Sequence, residues 1–170
     1  MSSCLSCPPK RIRLAGGVAR LIDYALDPSI VMEQGYRLLE HPADVGIEAF
    51  GHSLKETFEY AALGLTSIIV DPASVDPSEQ RFVSLKGTDP ENLLVRWLSE
   101  IIYLYDGEDF LLSDVNIRRL AHGELEATLS GEKVTEGKHK LKMDVKAITY
   151  HQLKVDETPE GVLLRVFLDI

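Results

Sequence analysis

The carboxylates at the end of the sequence are the residues best suited to chemistry. The last ten residues, GVLLRVFLDI, alternate in hydropathy as a β-strand does, and Asp169 falls on the face opposite the more apolar one. That second face is itself partly apolar, so Asp169 is expected to be partly covered. The Asp169 side chain adjoins the carboxylate of Ile170, and Asp44 could add a third. Two such charges repel by roughly 4 kcal/mol at 4 Å when the effective dielectric is near 20, so the cluster needs a cation.

Two kinds of cation fit this cluster. Ca²⁺ and Mg²⁺ prefer oxygen ligands from carboxylates, main-chain carbonyls and water. The ammonium group of Lys146 is the other candidate cation. The sequence DETPEG suits a hairpin loop between the segments 145–155 and 162–170. A hairpin folded about that loop brings residues 146–150 opposite the end of the final strand. A solvated Lys146 on an exposed face remains open as an alternative.

Other potential ligands and catalytic groups are scattered along the sequence. No two of the five histidines have the spacing that puts two imidazoles on one helix face, and most are expected to be surface or capping residues: His41, His52, His122, His139 and His151. Cys4 and Cys7 are a weak metal signal, because a zinc site needs a second ligand pair. The sequence has neither of the two glycine-rich phosphate-binding motifs, no G-x-S-x-G and no H-E-x-x-H.

The elements that must position these groups are predicted by periodicity and turn residues. Strands at 36–41 and 45–51 form a hairpin around HPAD, and the loop DPASVDPSEQ leads to a strand at RFVSLKG. A capping box at SLKE starts a helix from Leu54 to Ile69. Asp89-Pro90 starts a second helix, which Gly107 is expected to stop. From Phe110 the period is two. The fold class is α+β, a single domain with a mostly antiparallel sheet packed with two main helices.

Composition narrows the class of protein. The 170 residues carry a formal charge of −9, which disfavours direct binding to a nucleic-acid backbone. No run of about 18 apolar residues exists, so no membrane span is expected. Two cysteines cannot form a disulfide framework, and a reducing, cytoplasmic location is expected.

The first 31 residues differ from the rest. They carry four basic and two acidic residues, which leaves the remainder with a net charge of −11. They also contain CPP and AGG, and Met32 follows directly. A flexible basic extension and an upstream start codon chosen in error, with Met32 as the true start, both fit; the second is favoured.

Three segments together resemble the archease family: YRLLEHPADVGIEAFG, KHKLKMDVKAITYHQLKV and the terminal VFLDI. The resemblance covers about residues 36–170. The domain is therefore set at 35–170, with 1–34 as a leader that is disordered or wrongly assigned. The resemblance implies a non-enzymatic accessory protein of a GTP-dependent RNA ligase. It would promote guanylylation and multiple turnover of that ligase in tRNA splicing and RNA repair.

The resemblance also implies a set of site residues. A divalent metal, with Ca²⁺ favoured and Mg²⁺, Mn²⁺ or Zn²⁺ possible, would be held by Asp44, Asp169 and the main chain of Ile170. Lys146, with Asp44 and Asp169, would activate the partner ligase. RNA would be reached only through that ligase, which an acidic protein suits as a docking partner.

A metal-dependent phosphoesterase is the rival interpretation. It would use Asp44 and Asp169 as ligands and His41 or His151 as general base. It is weaker, because the sequence contains no recognisable activated nucleophile or dense ligand set. A general chaperone would need an exposed apolar patch that a sequence does not reveal.

Overall fold

Two antiparallel sheets enclose two helices in the computed structural model, which describes residues 34–40 and 44–170. In chain order the elements are β1 (Gly35–Glu40), β2 (Val45–Gly51), α1 (Leu54–Ile69), a short 3₁₀ helix (Pro72–Ser74), β3 (Glu79–Lys86), α2 (Pro90–Glu108), β4 (Phe110–Ala121), β5 (Glu124–Lys133), β6 (Ala147–Thr158) and β7 (Gly161–Asp169). The first sheet has the order β1-β2-β7-β6 and the second β3-β5-β4. The predicted α+β class is confirmed, with the strands divided between two sheets.

The starts of both helices follow from their capping residues. The Ser53 side chain accepts a hydrogen bond from the Glu56 N–H at 3.3 Å, and the Glu56 carboxylate accepts one from the His52 N–H at 3.0 Å. Asp89 accepts a bond from the Asn92 N–H at 2.7 Å, and Pro90 occupies the first turn, where its missing N–H costs nothing. Both predicted helix starts are confirmed.

The end of α2 corrects one prediction. Gly107 does not stop the helix, which continues to Glu108. Asp109 ends it instead, in the left-handed conformation at φ 53°, with its N–H bonded to the Leu104 carbonyl. Aspartate tolerates this conformation better than most residues do, so a glycine is not needed here.

The core lies between the two sheets, around the helices. Helix α1 packs on β1 and β2 on one side and on β4 on the other, and α2 packs on β6 and β4. Phe58 of α1 and Trp97 of α2 are fully buried, and the Trp97 indole N–H donates to the Phe58 carbonyl at 3.1 Å. The helices therefore hold the first sheet by one face and leave its other face to the surface.

Several predictions concern residues that the structure does not describe. Residues 1–33 of the predicted leader, with Cys4 and Cys7, lie outside the described residues. His41 lies outside them too, in the β1–β2 connection. The predictions made for these residues stay predictions.

Candidate functional site

The end of β7 lies between the starts of β2 and β6. In the register of the first sheet, Val45 pairs with Leu168, and Ala147 pairs with Asp169. Continued by one residue, the β2 register sets Asp44 opposite Asp169. The final strand thus brings together three segments that are far apart in the sequence.

Lys146 is tied to this strand end through its main chain. Its N–H donates a hydrogen bond of 2.9 Å to the Asp169 carbonyl, as the predicted hairpin requires. The Lys146 side chain is exposed, and Ile170 is 36% exposed. The Asp169 side chain is also exposed, so the expectation that it is partly covered is wrong. The ammonium group is therefore available to a partner at the same strand end.

Strand alternation places the two carboxylates on the outer face of the sheet. The side chains of Leu164, Val166 and Leu168 are fully buried against the helices. Asp169 points the opposite way, because successive side chains of a strand alternate between faces. Asp44 has the same parity on β2 and is half-buried. Both carboxylates thus belong to the face that the helices do not cover.

The donors at this end are all oxygens. Within residues 34–40 and 44–170, no three His, Cys, Asp or Glu side chains lie close enough to hold a metal ion. An ion bound here would need Asp44, Asp169, main-chain oxygens of Ile170 and water. That set fits the hard cations Ca²⁺ and Mg²⁺, which keep water ligands, better than Zn²⁺, whose protein sites usually include nitrogen or sulfur ligands.

The segment 134–146 delivers Lys146 from one sheet to the other. His139 is buried near its start: its Nδ1 accepts a bond from the Thr135 N–H at 2.9 Å, and its Nε2 lies 3.1 Å from a Glu132 oxygen. Hydrogen bonds from the Lys138 ammonium and the Asp76 N–H hold the pKa of Glu132 at about 2. His139 is therefore not the surface residue expected: its ring is buried, and its Nδ1 bonds to the main chain across the turn at residues 136–138.

An ion-pair network crosses the outer face of the same sheet. Arg37, Glu48 and Arg165 are aligned on adjacent strands β1, β2 and β7. The Glu48 carboxylate is 1% exposed and pairs with both guanidinium groups, at 2.7 Å in the case of Arg165. This row was not predicted from the sequence, since only the strand register brings its members together. The sequence signal that could have predicted it is the presence of opposite charges at outward positions of neighbouring strands.

His151 lies near the strand end without joining it. Its ring is 6.3 Å from that of Phe167, and its Nε2 is 3.0 Å from the Gln152 amide. The pairing of β6 with β7 is irregular between Thr149 and Lys154, which displaces this segment from the regular ladder. Two surface depressions, of about 230 and 350 Å³, are lined by other residues than Asp44, Asp169 and Lys146. Because Lys146, Asp169 and Ile170 are exposed, the strand end is an open surface, suited to a partner more than to enclosing a small substrate.

Comparison with known proteins identifies the family. The model of the Archease protein family matches residues 36–170. Protein archease of Sulfurisphaera tokodaii is 39% identical over 139 residues, which cover 81% of this chain and 99% of the relative. The chain belongs to the archease family.

Solved archease-family structures agree with this membership. The solution structure of Methanobacterium thermoautotrophicum protein 1598 is 30% identical and has a TM-score of 0.68, covering 80% of this chain and 99% of that one. The crystal structure of a Thermotoga maritima archease, described as a possible chaperone, is 22% identical with a TM-score of 0.56, covering 78% and 94% of the two chains. This second likeness concerns the fold alone.

The resemblance to archeases found in the sequence is thereby confirmed. Another relative, protein archease of Methanosarcina acetivorans, is 36% identical over 139 residues and matches 95% of its own length. Among the described residues, no helix is long and apolar enough to cross a membrane.

Proposed function

We propose that this archease-family protein activates a GTP-dependent RNA ligase, promoting its guanylylation and multiple turnover in tRNA splicing and RNA repair. It acts as an accessory protein in the cytoplasm and meets RNA through the ligase. The observation that carries the proposal is the meeting of Asp44, Asp169 and Lys146 at one exposed strand end of an archease-family fold.

The charge of the protein supports a protein partner over direct contact with RNA. A formal charge of −9 repels a phosphate backbone, whose binding requires cationic side chains. The same charge steers encounter with a basic enzyme that handles nucleic acid, which raises the association rate more than the final affinity. An acidic accessory protein is therefore suited to binding the ligase, while the ligase itself binds the RNA.

In this proposal Asp44, Asp169 and Ile170 hold a divalent ion, with Ca²⁺ the first candidate and Mg²⁺ or Mn²⁺ next. A bound ion would offset the repulsion between the carboxylates and leave coordination positions for oxygen ligands of the partner. Lys146 supplies a mobile ammonium group beside them, tethered through its N–H to Asp169. Its role is to orient anionic groups at the guanylylation site of the ligase.

The test is the rate of covalent guanylylation. The purified ligase is incubated with labelled GTP, with and without the full-length protein, and the labelled ligase is counted over time. We expect the wild-type protein to raise the rate, and Asp169→Ala and Lys146→Ala to abolish that increase while remaining folded. Lys140→Ala is the matched control, since this exposed lysine lies on the same segment and away from the strand end.

An unchanged guanylylation rate with the wild-type protein would refute the proposal. Equal loss with Lys140→Ala and Lys146→Ala would refute the specific role of Lys146. Release of phosphate from a phosphoester by the protein alone, lost in Asp169→Ala, would favour the phosphoesterase.

A further inference from the structure

The row formed by Arg37, Glu48 and Arg165 holds one more positive charge than its own pairing needs. Glu48 is 1% exposed, and either arginine alone would neutralise it. The two arginine side chains are 42% and 39% exposed, so they lie at the surface above the carboxylate. Lys154 of β6 continues the row beside Arg165 and is paired with Asp156, so the row and Asp156 together present a net charge of +1 on a protein with a formal charge of −9.

Both guanidinium groups are held in fixed orientations. Arg37 contacts one Glu48 oxygen through Nε and Nη2, and Arg165 contacts the other oxygen through the same two atoms at 2.9 and 2.7 Å. Each arginine has five N–H donors, so each keeps its Nη1 donors for another acceptor. A guanidinium held in advance by a buried carboxylate loses little side-chain freedom when it binds a further anion.

The surroundings of the row determine which anion fits. Among the neighbouring outward positions, Leu39 is half-buried on the side of the row nearer the strand end. Phe50 and Leu163 are half-buried on the opposite side. Mixed apolar surface around arginines is typical of protein–protein interfaces. Acidic residues lie on both sides: Asp44 and Asp169 are at the strand end, and Asp156, opposite Leu163, is paired with Lys154, which lies beside Arg165. A polyanion such as RNA would meet the carboxylates of Asp44 and Asp169 at the strand end, whereas a single carboxylate bound at the row would not.

We infer that Arg37 and Arg165 form a docking site for an aspartate or glutamate side chain of a protein partner. The inference rests on the proposed function, in which that partner is the RNA ligase. The row lies four residues along β2 from Asp44, which is about 13 Å at 3.3 Å per residue. One partner surface can thus contact the row and the strand end together, and the row anchors the ligase while the strand end acts on it.

The test measures the dissociation constant of the complex between the full-length protein and the ligase by calorimetry, at low and at physiological ionic strength. Arg37→Gln removes the surplus charge and leaves Glu48 paired with Arg165. We expect it to weaken binding about tenfold, the loss of one charge-assisted contact, and to reduce the dependence of binding on salt. Arg37→Lys keeps the charge without the planar donor group and is expected to bind with an intermediate affinity.

The matched control is Arg119→Gln, which makes the same change of net charge on the other sheet, where Arg119 pairs with Glu124. We expect it to bind the ligase as the wild-type protein does. A triple variant, Arg37→Leu with Glu48→Leu and Arg165→Leu, removes all three charges and leaves no buried charge unpaired. It should bind at least as weakly as Arg37→Gln, and its circular dichroism spectrum checks that it is folded.

Wild-type affinity in Arg37→Gln would overturn the inference, as would an equal loss in Arg119→Gln. If Arg37→Gln weakened binding to single-stranded RNA, measured without ligase, and left binding to the ligase unchanged, the choice of a protein carboxylate would be overturned. Guanylylation separates this inference from the proposed function. If the wild-type protein binds the ligase without raising guanylylation, the proposed function fails and the affinities still decide the docking site. If it does not bind the ligase, both fail.

Discussion

The buried carboxylate of Glu48 should matter far more to stability than the arginine at the sheet edge that pairs with it. Replacing Glu48 with glutamine leaves two guanidinium groups facing each other across a neutral amide. Removing one partner of a buried ion pair costs about 3–5 kcal/mol, because the remaining charge is left without compensation. Here the remaining charges are 42% and 39% exposed and can turn to water, so we expect a lower cost, about 2–3 kcal/mol.

Arg37→Gln should behave differently, because Glu48 keeps its two bonds to Arg165. The lost pair involves a side chain 42% exposed, and such pairs are worth about 0–1 kcal/mol. Urea unfolding followed by the fluorescence of Trp97, the single tryptophan and a fully buried one, measures both free energies. Equal costs for the two variants, or a cost below about 0.5 kcal/mol for Glu48→Gln, would refute the reasoning.

Three further predictions concern acid stability, the core and the metal. The folded pKa of Glu132, about 2, lies below its ordinary 4.5, so stability present above pH 4.5 is lost as the pH falls toward 2. Glu132→Gln should remove that part of the pH dependence in acid unfolding curves. Leu168→Ala should cost about 2–5 kcal/mol in urea unfolding, and the exposed Leu141→Ala under about 0.5 kcal/mol. Ca²⁺ at about 100 times its dissociation constant should stabilise the wild-type protein by about 2.7 kcal/mol in thermal unfolding, and Asp169→Asn or a chelator should abolish this gain.

Local signals in the sequence were sufficient for the helices. The side chains of Ser53 and Asp89 begin their helices by accepting hydrogen bonds from the N–H groups of Glu56 and Asn92, three positions further on, which a sequence displays directly. The end of α2 was less predictable, because Asp109 adopts a left-handed conformation that glycine adopts more readily. The helix starts could thus be predicted from capping side chains, whereas the end of α2 depended on the backbone conformation of Asp109.

The division into two sheets could not be read from alternation. A period of two tells which residues share a face and says nothing of which strand is the neighbour. Strands β5 and β6 are consecutive in the chain and lie in different sheets. The burial of Glu48 has the same origin, since its two arginine partners are 11 and 117 residues away.

The strand end is the part of the candidate site that the sequence predicted best. The predicted hairpin loop at DETPEG was enough to bring residues near 146 to Asp169, and Ala147 does pair with Asp169, although the strands extend to Thr158 and Gly161 and leave only residues 159–160 as the turn. The segment 134–146, which leads into this hairpin, is held by contacts that no sequence motif predicts. They include the buried ring of His139 and the bond from the Lys142 N–H to the Ile69 carbonyl. These contacts join segments that are brought together only by the fold, so the sequence alone does not predict them.

The most direct test of the central claim is the number of RNA ends joined per ligase molecule. The ligase is held limiting, with excess GTP and an RNA that carries a 2′,3′-cyclic phosphate and a 5′-hydroxyl end. With the wild-type protein we predict many joined ends per ligase, and with Asp169→Ala no more than the ligase joins alone. A yield that the wild-type protein does not raise, or that Asp169→Ala raises equally, would contradict the account.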